Sequence, residues 1–226
     1  MPSTIEYVEI VRHYIKICLD FILPQSYFAR IAESLSFETL VKKAAPRYID
    51  EKQEVLALFN FKDEAIRKGI WAFKYHNQTS LARTFAKVLY EHLLDELSDS
   101  LLFGGFEEPL LMPIPLSRKR LDERGYNQSL LVAKALGSLD SSRSFVLCAD
   151  VLIRMKETES QVRMRDRKSR EENIKHAFKV MDEQKINDRN IILLDDIVTT
   201  GATVSEAKKT LLAAGARNVY CIALAH

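Results

Sequence analysis

Ile191-Ile192-Leu193-Leu194-Asp195-Asp196-Ile197-Val198-Thr199-Thr200-Gly201-Ala202-Thr203 is the most legible stretch of this 226-residue chain. Four aliphatic residues without polar alternation predict a strand buried on both faces of a parallel sheet. Past Thr203 the small and apolar residues Val204, Ala207, Leu211 and Ala214 recur at helical spacing, Gly215 stops the helix, and Val219 to Leu224 reads as another buried strand. A strand, a loop, a helix and a second strand make a right-handed crossover unit, so the fold class is α/β with a parallel sheet.

The chemistry of this stretch follows from where such a strand ends. In open parallel sheets the ligand crevice lies at the carboxyl ends of the strands, and a helix N-terminus there offers unpaired amides and a positive dipole end. Thr199, Thr200, Gly201, Ala202 and Thr203 are small enough to let a phosphate approach the backbone, and their hydroxyls add donors. Asp195 and Asp196 would repel that phosphate unless something separated them. A ribose does so, with its diol toward the carboxylates and its 5-phosphate in the loop, and a hard, oxygen-seeking cation such as Mg2+ can share the site. The competing reading is a capping box in Thr203-Val204-Ser205-Glu206, in which Thr203 and Glu206 merely satisfy helix-end amides. Neither GxxxxGK[ST] nor GxGxxG occurs.

Working outward, Leu110-Leu111-Met112 leads into Pro113-Ile114-Pro115, and a helix is predicted from about Gln128 to Gly137, with Gly137 as its stop. Phe145-Val146-Leu147, Val151-Leu152-Ile153 and Ala177-Phe178-Lys179-Val180 are short apolar runs. The last two flank a polar stretch, Lys156 to Lys175, that reads as a long loop, of a length that marks either a functional lid or disorder. Leu81, Phe85, Val88, Leu89, His92 and Leu93 lie on one helical face that closes before Gly104-Gly105. Val8, Val11, Ile15, Cys18 and Ile22 form an earlier stripe ending near Pro24, and residues 25–62 continue a weaker helical pattern, so residues 1–62 are expected to form a helical N-terminal cap.

Composition narrows the function classes. With 33 Lys+Arg against 31 Asp+Glu the net charge is +2, so no global field gathers polyanions and any anion site must be local. No apolar run reaches the roughly 18–20 residues of a membrane span. The first 21 residues carry Glu6, Glu9, Arg12, Lys16 and Asp20, unlike the neutral core of a secretory signal, and a cytoplasmic protein is expected. Cys18, Cys148 and Cys221 are too sparse for a tetrahedral zinc site or a disulfide framework and read as buried thiols. His13, His76, His92, His176 and His226 show no metal-ligand pairing.

At this point a family resemblance becomes specific. Residues 191–203 resemble the phosphoribosyl pyrophosphate (PRPP) motif of type I phosphoribosyltransferases, four hydrophobic residues followed by two acids and a small-residue phosphate loop. Four further blocks resemble the ComF (GntX-like) branch of that superfamily: Pro113-Ile114-Pro115-Leu116-Ser117-Arg118-Lys119-Arg120, Arg124-Gly125-Tyr126-Asn127-Gln128, Thr158-Glu159-Ser160-Gln161, and Arg170-Glu171-Glu172-Asn173 with Ala177-Phe178. Phe73-Lys74-Tyr75 is similar to another ComF block. The resemblance covers residues 63–226, and it implies a Rossmann-like phosphoribosyltransferase domain there, with a central parallel sheet and a hairpin or flexible lid from about residue 151 to 180.

The resemblance also implies roles. Asp195 and Asp196 would hold the ribose hydroxyls and Mg2+, and Thr199 to Thr203 the 5-phosphate. Leu116, Ser117 and Arg118 would form the pyrophosphate loop, with Arg118 as its charge partner because a guanidinium fork suits phosphate oxygens. Arg124, Asn127 and Gln128 sit where that loop becomes a helix, with simple capping by Asn127 as the competing role. Gln161 and Arg170, with Arg163, Arg165 and Arg167, would belong to the lid. The implied reaction transfers the phosphoribosyl group to an unidentified acceptor by substitution at the anomeric carbon, with release of pyrophosphate and no nucleophilic side chain. Two departures bear on this. ComF relatives commonly carry an N-terminal four-cysteine zinc module, and only Cys18 lies in that region, so zinc is not expected. Thr199 stands where 6-oxopurine salvage enzymes carry an acid, which counts against a hypoxanthine or guanine acceptor.

The ComF resemblance also implies a second function class, a non-catalytic PRPP-fold accessory protein in competence and DNA uptake, with single-stranded DNA and a helicase-like protein as partners. Its sequence signal is the run from Arg154 to Arg170, seven basic residues against three acidic ones, which equally suits a solvated face. Trp71, Phe73 and Tyr75 read as core or cap packing ahead of base stacking.

Overall fold

The computed structural model describes residues 25–49, 55–102, 108–155 and 174–226. The N-terminal stripe, Cys18, the Gly104-Gly105 turn, Gln161, Arg163, Arg165, Arg167 and Arg170 lie outside the described residues.

The element order is α1 (Gln25–Ser34), α2 (Phe37–Lys43), β1 (Ala44–Tyr48), β2 (Val55–Phe59), α3 (Glu64–Tyr75), α4 (Leu81–Leu102), β3 (Leu110–Pro113), α5 (Arg118–Arg124), α6 (Gln128–Leu139), β4 (Val146–Leu147), β5 (Leu152–Arg154), β6 (Phe178–Val180), β7 (Asn190–Ile197), α7 (Ala202–Ala213) and β8 (Asn218–Ala225). Six strands form one sheet in the order β1-β2-β8-β7-β3-β4. All its pairings are parallel except β1 with β2. The expected α/β class and the buried parallel strand at Ile191–Leu194 are therefore both present, and Leu194 stands opposite Pro113 on β3 and Ile222 on β8.

Alternation along the strands sorts the core into two layers. Ile192 and Leu194 point to the face covered by α3, α4 and α6, where they join Phe73, Phe85 and Val132. Ile191 and Leu193 point the other way and meet Val204, Ala207 and Leu211 of α7. α6 and α7 thus cover opposite faces. The chain leaves β3 through α5 and α6 to reach β4 on one side, and leaves β7 through α7 to reach β8 on the other. The strand order reverses between β3 and β7, which is where open α/β sheets place their ligand crevice.

Several sequence expectations are corrected. Ala44–Tyr48 and Val55–Phe59 are strands, not helix, so residues 1–62 are not a purely helical cap. Val55-Leu56-Ala57-Leu58-Phe59 is buried at every position and pairs in parallel with β8 inside the main sheet, while Phe28, Leu35 and Leu40 of α1, its C-terminal turn and α2 share one core with Leu111 and Ile192. The helix predicted to stop at Gly137 runs on to Leu139. Its end is set by Asp140, whose carboxylate accepts from the Tyr90 hydroxyl (3.1 Å) and the Phe145 amide (3.2 Å). α4 and the stop at Gly215 (φ 99°) are as expected.

β5 and β6 form a separate antiparallel pair, the base of the expected hairpin between residues 151 and 180. Cys148 and Cys221 are buried, reduced thiols, and burial pushes the Cys148 thiol up. Among the described residues no helix is long and apolar enough to cross a membrane.

Candidate functional site

The carboxyl ends of β3 and β7 lie side by side, and Ile114 N donates to Leu194 O (2.9 Å), carrying the ladder past the end of β3. Beyond β7 the chain turns through Gly201, whose left-handed φ of 75° only a residue without a side chain adopts freely, and enters α7 at Ala202. A shallow, open hollow runs from Asp195 along this turn to Val204. α7 has no side-chain cap, so the positive end of its dipole faces the hollow with its first amides lacking intrahelical acceptors. The capping-box alternative does not form: the N-cap is Gly201, and Glu206 Oε1 accepts from the His176 amide (2.6 Å). Among the described residues the Thr200 hydroxyl is buried in this turn without a hydrogen-bond partner, an expensive state for a polar group that nothing fills.

Asp195 and Asp196 do not face the same way. As consecutive residues of a strand they point to opposite faces. Asp195 borders the hollow, and its Oδ1 accepts the Asp196 amide (2.8 Å). Burial, with the neighbouring Asp196 charge behind it, pushes its carboxyl up to about 7, against the pull of Lys74 and Arg154. Asp196 is buried on the α3 side, where Lys74 Nζ lies 2.9 Å from Oδ1 and Arg124 Nη1 lies 3.9 Å from Oδ2.

Lys74, the ion-pair partner of Asp196, is the residue of this cluster to which the sequence assigned no role, although Phe73-Lys74-Tyr75 stands out as a block. The structure clasps that block to Arg124-Gly125-Tyr126-Asn127-Gln128. Gln128 is fully buried. Its Oε1 accepts from Arg124 Nη1 (3.0 Å), and its Nε2 donates to the Lys74 carbonyl (3.4 Å). The Tyr126 hydroxyl donates to the Phe73 carbonyl. The Arg124 guanidinium lies 5.4 Å from the Tyr75 ring centroid. Two segments far apart in sequence thus form one support around Asp196.

This placement changes the expected roles on the pyrophosphate side. Gln128 is buried in the Asp196 support, and Arg124 joins it while keeping a partly exposed side chain. Asn127 is the N-cap of α6, accepting from the Leu130 amide (3.3 Å) and donating to the Ile114 carbonyl (2.9 Å), which is the capping alternative. Ser117 is buried as the N-cap of α5, with its hydroxyl accepting from the Arg120 amide (3.4 Å). Leu116 is half-buried and Arg118 is exposed at the start of α5, directly after β3. Phe73 is core, and Trp71 and Tyr75, 39% and 48% exposed, pack at its edge, Trp71 against Phe28 of α1 (ring centroids 5.7 Å) and Tyr75 against Trp71 (6.0 Å), so all three have a packing role.

A cation fits this donor set at one acid. Asp195 keeps an oxygen for Mg2+, which commonly takes one or two carboxylates and completes its shell from substrate phosphates and water. Asp196 is already matched by two cationic side chains. Among the described residues no group of three or more acids, His or Cys could hold a metal by itself.

No family model matches the chain. Solved structures with a similar layout include the hypoxanthine phosphoribosyltransferase of Trypanosoma cruzi as a ternary substrates complex, with 13% identity, TM-score 0.41, 65% of this chain and 67% of that one. Another is the Staphylococcus aureus hypoxanthine phosphoribosyltransferase, at 12% identity, TM-score 0.36, and 65% and 63% of the two chains. Superpositions this loose carry nothing over to the site. Among curated proteins, competence protein F of Haemophilus influenzae is 32% identical over 158 residues, 69% of this chain and 66% of that protein. Competence protein ComFC of Bacillus subtilis is 30% identical over 186 residues, 82% and 63%. DNA utilization protein YhgH of Escherichia coli (strain K12) is 28% identical over 158 residues, 68% and 64%. The chain therefore spans 63% to 66% of the length of these relatives. Their shared identity over most of this chain, together with the sequence blocks that frame the β3–β7 crevice, means that the chain belongs to the ComF family.

Proposed function

We propose that this protein binds the phosphoribosyl group of PRPP in the β3–β7 crevice and transfers it to an acceptor, releasing pyrophosphate. The observation that carries the reading is the buried Thr200 hydroxyl without a partner, at the uncapped N-terminus of α7 and beside Asp195. A tetrahedral phosphate seated there accepts from the Thr200 hydroxyl and the first amides of α7, which leaves the sugar hydroxyls on the Asp195 side. Arg118, at the mouth of β3, supplies charge to the pyrophosphate. Mg2+ at the free oxygen of Asp195 would neutralise charge on the departing phosphates when bound. The remaining work belongs to the chain itself: holding the sugar by its two ends and fixing the direction in which the anomeric bond breaks. The polar loop from Lys156 to Lys175 is the expected lid. Calorimetric titration with PRPP and Mg2+ tests the reading, with binding expected in the wild type and lost in Asp195→Asn; unaltered affinity in that variant rejects the site.

The relatives are named for competence and DNA utilization, and as a second reading we propose that the same fold binds single-stranded DNA alongside a helicase-like partner. The basic run from Arg154 to Arg170 is its support. Single-stranded DNA affinity should then fall steeply with salt and drop when Arg163, Arg165 and Arg167 become Ala. A flat salt response counts against it.

A further inference from the structure

The two acids at the tip of β7 are held in different ways, and the difference has a single cause. Asp196 faces α3, where the Lys74 ammonium lies 2.9 Å from its Oδ1 and the Arg124 guanidinium 3.9 Å from its Oδ2. The three side chains retain only 14%, 11% and 9% exposure for Lys74, Arg124 and Asp196. Lys74 is not held there by chance. It occupies the last turn of α3, whose Phe73 is fully buried and whose carbonyls at residues 73 and 74 accept from Tyr126 and Gln128. We propose that Lys74 is a positioning residue, the resident counter-ion of Asp196, which occupies the place a divalent cation would take on that carboxylate and leaves Asp195 as the one acid of the pair presented to the sugar.

The physical grounds are charge and reach. A carboxylate that already meets two cations has no net charge left to attract a dication. A metal on Asp196 would have to displace an ammonium that cannot leave without being stranded in a mostly buried position. The strand parity that sends Asp196 toward α3 also puts the Asp196 amide against Asp195 Oδ1 (2.8 Å), so anchoring Asp196 fixes the orientation of its neighbour. Lys74 therefore acts on ligand binding through Asp196 and does not touch the ligand. The inference rests on the ribose reading for what Asp195 faces, but its test needs no ribose.

The test is titration of the intact, ligand-free protein with Mn2+ alone, read by the electron paramagnetic resonance of the free ion, a probe of carboxylate sites that take Mg2+. Wild type is expected to show no Mn2+ site that depends on Asp196, so Asp196→Asn should leave its titration unchanged. Lys74→Met should gain a site at least tenfold tighter than any in the wild type, Lys74→Met with Asp196→Asn should lose that gain, and Lys74→Arg should behave as wild type. Equal Mn2+ affinity in wild type and Lys74→Met overturns the proposal. So does a wild-type site that Asp196→Asn abolishes, a comparison that stands even should Lys74→Met not fold. Failure of PRPP to bind, with the Mn2+ pattern as expected, would sink the ribose reading alone.

Discussion

Replacing Thr200 by Val exchanges a hydroxyl for a methyl of similar size at the entrance to α7. In the free protein the Thr200 Oγ1 is buried and unpartnered. An unsatisfied buried polar group costs roughly 1–3 kcal/mol, and the low end applies because the residue as a whole is half-buried. Thr200→Val should therefore stabilise the free protein by about 1 kcal/mol. For a chain of this size that is a rise in melting temperature of roughly 2–4 °C. Binding should move the opposite way. A hydrogen bond to a charged phosphate contributes about 1.5–3 kcal/mol, so ribose 5-phosphate should bind roughly 10- to 150-fold more weakly. Thermal melts with and without ribose 5-phosphate, paired with calorimetric titration, read both effects on the same samples. A Thr200→Val variant that melts lower and binds ribose 5-phosphate as tightly as wild type would refute the reasoning, because the hydroxyl would then be satisfied by the protein and would take no part in a phosphate cradle.

The scaffold sets further outcomes. Gly201→Ala forces a Cβ into a left-handed conformation at φ 75°; it should cost about 1–2 kcal/mol in denaturant melts and weaken ribose 5-phosphate, whereas Gly201→Asn should cost less. Asp63 caps α3 by accepting from the amides of Ala65 (2.9 Å) and Ile66 (3.1 Å), and the Lys43 ammonium, ahead of these amides, holds its carboxyl below the usual range. Because the folded-state value is depressed, the stabilisation is present above the unfolded value near ~4 and is lost as pH falls through the folded one. Asp63→Ala should cost about 0.5–2 kcal/mol at pH 7, while Asp63→Asn should keep the cap and flatten the acid limb of a stability-against-pH curve. A chain beginning at residue 63 lacks β2 and should show no cooperative thermal transition by circular dichroism. Leu58→Ala, at 1% exposure, should cost roughly 2–5 kcal/mol in the whole chain by chemical denaturation.

The parts of the fold that could be read from sequence are those whose periodicity is carried by their own residues. Ile191 to Leu194 and Val219 to Leu224 are continuous apolar runs, and α4 and α7 repeat at helical spacing, so each declares its type without reference to a partner. Val55 to Phe59 is an equally apolar run of five, yet it follows weakly helical patterning and a break at Pro46, and a short apolar run does not distinguish strand from buried helix. Its identity is fixed by β8, which lies at the other end of the chain and supplies its parallel ladder. The stop of α6 illustrates the same limit on a smaller scale: Gly137 carries the local signal, but the helix ends where Asp140 finds the Tyr90 hydroxyl, a partner on α4.

The candidate site divides along the same line. The turn into α7 was legible because loop, glycine and helix start are contiguous, and the small side chains that expose its backbone are written in the residues themselves. The acid pair was legible as composition but not as geometry, although the rule that separates the two carboxylates was available: neighbours on a strand face opposite ways. What no local rule supplied was the identity of the group waiting on the far face. Lys74 reaches Asp196 only because α3 packs across the sheet face that α6 also covers, and because Tyr126 and Gln128 hold the end of α3 in place. A lysine beside two aromatic residues reads as surface chemistry until the fold brings a buried carboxylate to it. Once that contact exists, the number of cations already at the tip of β7 determines how many negative charges remain to be offered to a ligand, and so the support decides what the site can hold.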